Sequence, residues 1–159
     1  MKPLEFIAKH TDDTDVLAGA LSATLPSGTV VGLVGPLGAG KTRLVQGVAA
    51  AEGVAPGTVT SPTFVLCHEY QGRRPIYHLD VYRVADEDEF FSLGPQEYFE
   101  GEGITFVEWA DRVAGCLPND RLDVTIDVVD ETARRFHIAA QGERSESVLE
   151  ELRRRLDAD

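Results

Sequence analysis

One short segment constrains this chain more than any other. Gly35-Pro36-Leu37-Gly38-Ala39-Gly40-Lys41-Thr42 fills the pattern G-x-x-x-x-G-K-[S/T]. Glycines at its fixed positions let the backbone curl into a concave nest with N–H groups pointing inward. The run before it, Thr29 to Val34, is apolar and rich in β-branched residues, the pattern of a strand buried on both faces. The stretch after it, Lys41 to Glu52, spaces Leu44, Val45 and Val48 along one helical face and stops at Gly53. Strand, loop and helix in that order present free amides and the positive end of a helix dipole to an anion. Lys41 then adds a mobile positive charge for the β- and γ-phosphates of a nucleotide, and the Thr42 hydroxyl is a ligand for Mg²⁺. An accidental glycine-rich turn would not be expected to fall between those two elements.

The remaining pattern points to an α/β fold. Val16, Leu17, Ala20, Leu21 and Leu25 recur at helical intervals from Asp13 to Leu25, with Thr11 or Asp12 as the cap and Pro26-Ser27-Gly28 as the end. Thr63 to Tyr70 and Pro75 to Asp80 flank Gln71-Gly72-Arg73-Arg74 as a hairpin. Asp86 to Phe91 reads as a short acidic helix, and Gln96 to Phe99 as one more turn. Ile104 to Glu108 reads as a buried strand ending in an acid. Leu122 to Val129 and Arg134 to Ala140 form a second hairpin, and Ser145 to Leu156 an amphipathic helix. The expected fold is a single P-loop NTPase-like domain over residues 1–159, with a mixed central sheet and helices on its faces.

Charge limits the partners. The net charge is −12 over 159 residues, and the clearest basic cluster, Arg153-Arg154-Arg155, is surrounded by acids. A protein that grips nucleic acid by itself presents a basic face, so direct strong binding is not expected. The arginine cluster reads as a solvated helix end. Cys67 and Cys116 form no Cys-x-x-Cys pair and the four histidines are scattered, so neither a zinc site nor a disulfide framework is expected. No apolar run reaches the ~20 residues of a membrane span. The first residues lack the basic and apolar regions of a signal peptide, so a soluble cytoplasmic location is expected.

A P-loop needs a second acid to hold the metal, usually at a strand end. Glu108 and Asp80 both close candidate strands, and each could instead be an acid facing water. Guanine-specific P-loop proteins carry an Asn-Lys-x-Asp segment; the one asparagine here, Asn119, is followed by Asp120, which favours adenine. Hydrolysis, phosphoryl transfer to a small acceptor, and nucleotide-gated binding without turnover all remain open. No arginine-rich lid stands out for a kinase. Arg83 is placed either to reach a γ-phosphate or to pair with Asp80 or the Asp86-Glu87-Asp88-Glu89 run.

Four segments together are more specific than the loop alone: Gly38 to Thr42, Ser61-Pro62-Thr63-Phe64, Tyr77-His78-Leu79-Asp80-Val81-Tyr82-Arg83 and Val107-Glu108-Trp109. In order and spacing they resemble the TsaE (YjeE) family, P-loop ATPases of bacterial tRNA threonylcarbamoyladenosine biosynthesis. The resemblance implies a compact domain that binds ATP or ADP with Mg²⁺ and hydrolyses ATP slowly alone. It implies work with TsaD and TsaB on adenosine 37 of tRNA, reached only through that complex and with no membrane role. By the same resemblance Thr42 and Glu108 are the Mg²⁺ ligands. Lys41 and the amides of Gly38, Ala39, Gly40, Thr42 and Arg43 form the phosphate cradle. Asp80 is the essential second acid, positioning the attacking water or a metal-bound water rather than touching the metal. Trp109 lies near the nucleotide or serves in packing. Ser61-Pro62-Thr63 is a switch-like loop or a plain strand entry, and Thr11 is an adenine contact. From Arg121 onward the match is one of layout.

Overall fold

A computed structural model describes residues 1–55, 57–59 and 67–157. Seven strands form one mixed sheet: β1 (Leu4–Ala8), β2 (Val30–Val34), β3 (Cys67–Gln71), β4 (Pro75–Asp80), β5 (Ile104–Glu108), β6 (Arg121–Val128) and β7 (Arg134–Gln141). Their order across the sheet is β1-β7-β6-β2-β5-β4-β3. The middle four, β6, β2, β5 and β4, run parallel to one another, and antiparallel pairs close both sides. The chain is therefore a single α/β domain with a mixed sheet and helices on its faces.

Burial explains the arrangement. β5 is buried at every position, and β2 at all but its last, as parallel strands covered on both faces must be. Helices α1 (Thr11–Thr24), α2 (Lys41–Ala51) and α5 (Glu143–Asp157) lie on one face. There Leu17, Leu44, Val48 and Leu149 pack with Leu33, Ile76, Phe106, Ile126 and Phe136 of the sheet. On the other face are α3 (Glu87–Ser92), α4 (Gln96–Phe99) and a 3₁₀ segment, Ala110–Cys116. Phe90, Phe99 and Val113 meet Leu79 and Val107 there. Among the described residues no helix is long and apolar enough to cross a membrane.

Three features differ from the sequence pattern. Strand β1 has only Leu4 and Ala8 buried, while Ile7 is exposed, so its periodicity is weak; pairing with β7, from Leu4 opposite Ile138 to Ala8 opposite Arg134, makes it a strand. Helix α1 starts at Thr11 rather than after it, because the Asp13 carboxylate accepts the Lys9 and His10 N–H groups at 2.9 and 3.2 Å. The 3₁₀ segment follows a turn at Trp109, whose φ of 62° no pattern announced. The Ser61-Pro62-Thr63 loop and the start of the first hairpin lie outside the described residues.

The β3–β4 turn is fastened to the far end of α2. Arg74 pairs with the buried Glu52 at 3.0 Å, and the Arg73 N–H donates to the Glu52 carbonyl at 2.7 Å. A Cβ on Gly72 would lie 2.5 Å from that same carbonyl, so the close approach requires glycine. One helix thus carries the loop at its start and the β4 hairpin at its end.

Candidate functional site

The glycine-rich loop joins β2 to α2 at the C-terminal edge of the parallel strands, where α/β sheets bind ligands. Gly38 and Gly40 have φ of 80° and 108°, left-handed values that only glycine adopts without strain. Gly35 passes so close to β6 that a Cβ would sit 2.7 Å from the Ile126 carbonyl. Arg134, from β7, ties the loop from behind: its Nε donates to the Ala39 carbonyl at 3.1 Å and its Nη2 to the Gly38 carbonyl at 3.4 Å. Gly40 is the N-cap of α2 and no side chain caps that end. The amides of Lys41, Thr42 and Arg43 therefore open toward the loop with no intrahelical acceptor, a ready anion site.

Lys41 is 5% exposed. Its Nζ donates to the carbonyls of Gly35 at 2.5 Å and Pro36 at 3.0 Å, and stands 4.0 Å from the centre of the Trp109 ring. Burial pushes its pKa down, while Glu108, Asp80 and Asp111 pull it back up.

The acids come from the neighbouring strands. Parallel pairing sets Asp80 of β4 opposite Glu108 of β5, and His78 opposite Phe106. Side chains alternate along a strand, so His78, Asp80, Phe106 and Glu108 share the face on which α2 packs. Glu108 is 3% exposed. Its Oε2 accepts the Thr42 hydroxyl at 2.9 Å and also meets Nε2 of His78. The Asp80 Oδ1 accepts the Tyr82 N–H at 2.9 Å. Burial pushes the Asp80 carboxyl above the usual carboxylate range; the Tyr82 N–H opposes this, Glu108 adds to it, and His78 and Lys41 counter it.

Trp109 is the one non-glycine among the described residues with positive φ. Such strain costs on the order of 1–3 kcal/mol and persists where surroundings enforce it. Here it turns the indole against Tyr82, with ring centres 5.0 Å apart, and beneath Lys41.

The structure thus gathers Lys41, Thr42, Asp80, Glu108 and Trp109 around the loop Gly38-Ala39-Gly40. The Arg43 side chain departs from it, pairing with Asp15 of α1 at 2.7 Å, so only its amide belongs to the cradle. Thr11 is exposed in the first turn of α1, three residues past Ala8, whose strand partner is Arg134. Arg83 is exposed. Two further residues, His78 and Arg134, touch this machinery. His78 was findable, since it precedes the candidate acid Asp80 by two on one strand face. Arg134 had no signal, because its contacts join residues 95 and 96 apart in sequence.

The donor set suits a divalent cation bound together with phosphates. Among the described residues no group of three His, Cys, Asp or Glu side chains forms a metal cage. Mg²⁺ does not need one: it retains water and takes one or two protein oxygens plus phosphate oxygens. The Thr42–Glu108 pair beside an open row of amides offers that.

Comparison with known proteins gives a consistent set of matches. The family model for "Threonylcarbamoyl adenosine biosynthesis protein TsaE" matches residues 8–136. The tRNA threonylcarbamoyladenosine biosynthesis protein TsaE of Bacillus subtilis is 40% identical over 155 residues, 97% of this chain and 96% of that one. Its counterpart in Treponema pallidum is 38% identical over 84% of this chain and 98% of its own. The crystal structure of Bacillus subtilis YdiB superposes with a TM-score of 0.81 at 36% identity, covering 96% of this chain and 95% of that one.

Proposed function

The chain belongs to the TsaE family of tRNA threonylcarbamoyladenosine biosynthesis proteins, and from that premise we propose that it is a Mg²⁺-dependent ATP-binding protein and slow ATPase that supports TsaB and TsaD. The observation that carries this reading is the meeting of Thr42, Glu108 and Asp80 at the mouth of the glycine loop. A protein that only held nucleotide would need the first acid and not the second.

Each residue has a chemical part. The amides of Gly38 to Arg43 and the start of α2 bind the phosphates. Lys41 exchanges the Gly35 and Pro36 carbonyls for phosphate oxygens and carries its charge to the site of transfer. Thr42 and Glu108 hold Mg²⁺, which when bound neutralises phosphate charge. Asp80 orients the attacking water and takes up its proton; its raised pKa makes it a better base near neutral pH than an exposed carboxylate. Trp109 and Tyr82 wall the site and restrict water. The net charge of −12 supports a role in which tRNA is held by other subunits.

Phosphate release from ATP tests the proposal, measured for the protein alone and with TsaB and TsaD added. Slow Mg²⁺-dependent release that rises with the partners supports it. Release that ignores the partners would detach this ATPase from that complex, and no release under either condition would leave a binding module.

A further inference from the structure

The scheme above gives His78 no part, yet its position is unusual. It is fully buried in β4 between the apolar residues Tyr77 and Leu79. A buried imidazole is unfavourable unless both nitrogens find partners. One does: Nε2 meets Glu108 Oε2. Nδ1 is buried with no hydrogen-bond partner among the described residues. An apolar side chain would serve packing better. The polar contact this ring secures leads to the carboxylate that also receives the Thr42 hydroxyl.

Chemistry fixes the direction of that contact: a carboxylate only accepts, so Nε2 carries a proton and donates it. Oε2 of Glu108 therefore receives two donors, N–H from β4 and O–H from the first turn of α2. Donors from two different elements on one oxygen hold the carboxyl against rotation. Oε1 takes part in neither bond. The Thr42 proton is committed to Glu108, which leaves the lone pairs of its oxygen for another partner.

We infer that His78 is a positioning residue for the cation site: it locks Glu108 so that Oε2 serves Thr42 and Oε1 is kept for a divalent cation or its water. This rests on the reading that Thr42 and Glu108 hold Mg²⁺. Hydrogen-bonding partners of metal-binding carboxylates commonly set metal affinity by about 10- to 100-fold.

Two substitutions separate this role from packing. The Gln amide of His78→Gln reaches the place of Nε2 and can restore the donor. The shorter amide of His78→Asn reaches only the place of Nδ1 and cannot. ADP affinity is measured by calorimetry in Mg²⁺ and in EDTA, and the ratio gives the gain due to the metal. The expected result is that His78→Asn loses about tenfold or more of that gain, while its affinity in EDTA stays within about threefold of the parent. His78→Gln keeps the gain. Should the Asn variant melt before the assay temperature, His78→Met, as long as Gln but without a donor, is expected to behave the same way. A full metal gain in the donor-less variants, or equal losses with and without Mg²⁺, would overturn the inference and leave His78 a packing residue. Thr42→Ala separates the premise: if the parent shows no metal gain, or Thr42→Ala keeps it, the cation reading itself falls.

Discussion

The two walls of the site are built by opposite means. The glycine loop is local: Gly35 to Thr42 are contiguous, and the positive φ values of Gly38 and Gly40 come from the residues themselves. The acid wall is assembled from a distance. Thr42 and Glu108 are 66 residues apart, brought together because β2, which leads into the loop, pairs with β5; His78 and Glu108 are 30 apart, joined because β4 pairs with β5. A slip of one residue in that register would turn Asp80 to the other face of the sheet. The loop therefore fails first at its own residues and only mildly at distant ones, whereas the acid wall depends on how the sheet is packed.

Substitutions can separate the walls. On the loop side the largest effect is expected from Lys41→Met, which keeps a side chain of similar length and removes the charge that stands over Trp109. Turnover should fall on the order of 10²–10³-fold, with unchanged melting as the check that the fold is intact. Gly35→Ala comes next, since its Cβ would press on the Ile126 carbonyl at 2.7 Å. Overpacking of this kind costs about 1–3 kcal/mol, which thermal unfolding would show as a drop of several degrees along with weaker nucleotide binding.

Arg134→Ala is a milder strike on the loop from β7, two strands away. It frees the Gly38 and Ala39 carbonyls and should weaken ADP binding by a few-fold, about 1 kcal/mol, with Mg²⁺ and EDTA affected alike. A loss confined to Mg²⁺ would show that the two walls are not independent. The smallest effect is expected from Arg43→Ala. Its half-exposed pair with Asp15 contributes at most about 1 kcal/mol, and calorimetry should show ADP affinity nearly unchanged because the amide remains.

The same contrast explains what could be read before the fold was known. The loop, its flanking strand and helix, and the buried run Ile104 to Glu108 are local patterns, and all stand where expected. Strand β1 was missed because Ile7 is exposed and its pairing partner lies at the other end of the chain. The left-handed turn at Trp109 leaves no trace in periodicity. Asp80 and Glu108 were legible as strand-end acids, but their placement side by side depends on strand order. Arg134 has no local signature, and His78 needed the period of two counted back from Asp80.

Asp80→Asn puts the division between binding and turnover to the most direct test, with ADP affinity, ATP hydrolysis and melting measured on one preparation. Asn keeps the oxygen that accepts the Tyr82 N–H. The Asp80 pKa is raised in the folded state, chiefly by burial. Its contribution to stability is therefore present below the ordinary carboxylate pKa and is lost as pH rises through the raised value. At neutral pH the variant should thus melt no lower than the parent. Nucleotide affinity is expected within about threefold of the parent, and hydrolysis reduced by on the order of 10²–10⁴-fold. Hydrolysis that persists at the parent rate would contradict the assignment of Asp80 as the residue that orients and deprotonates the attacking water.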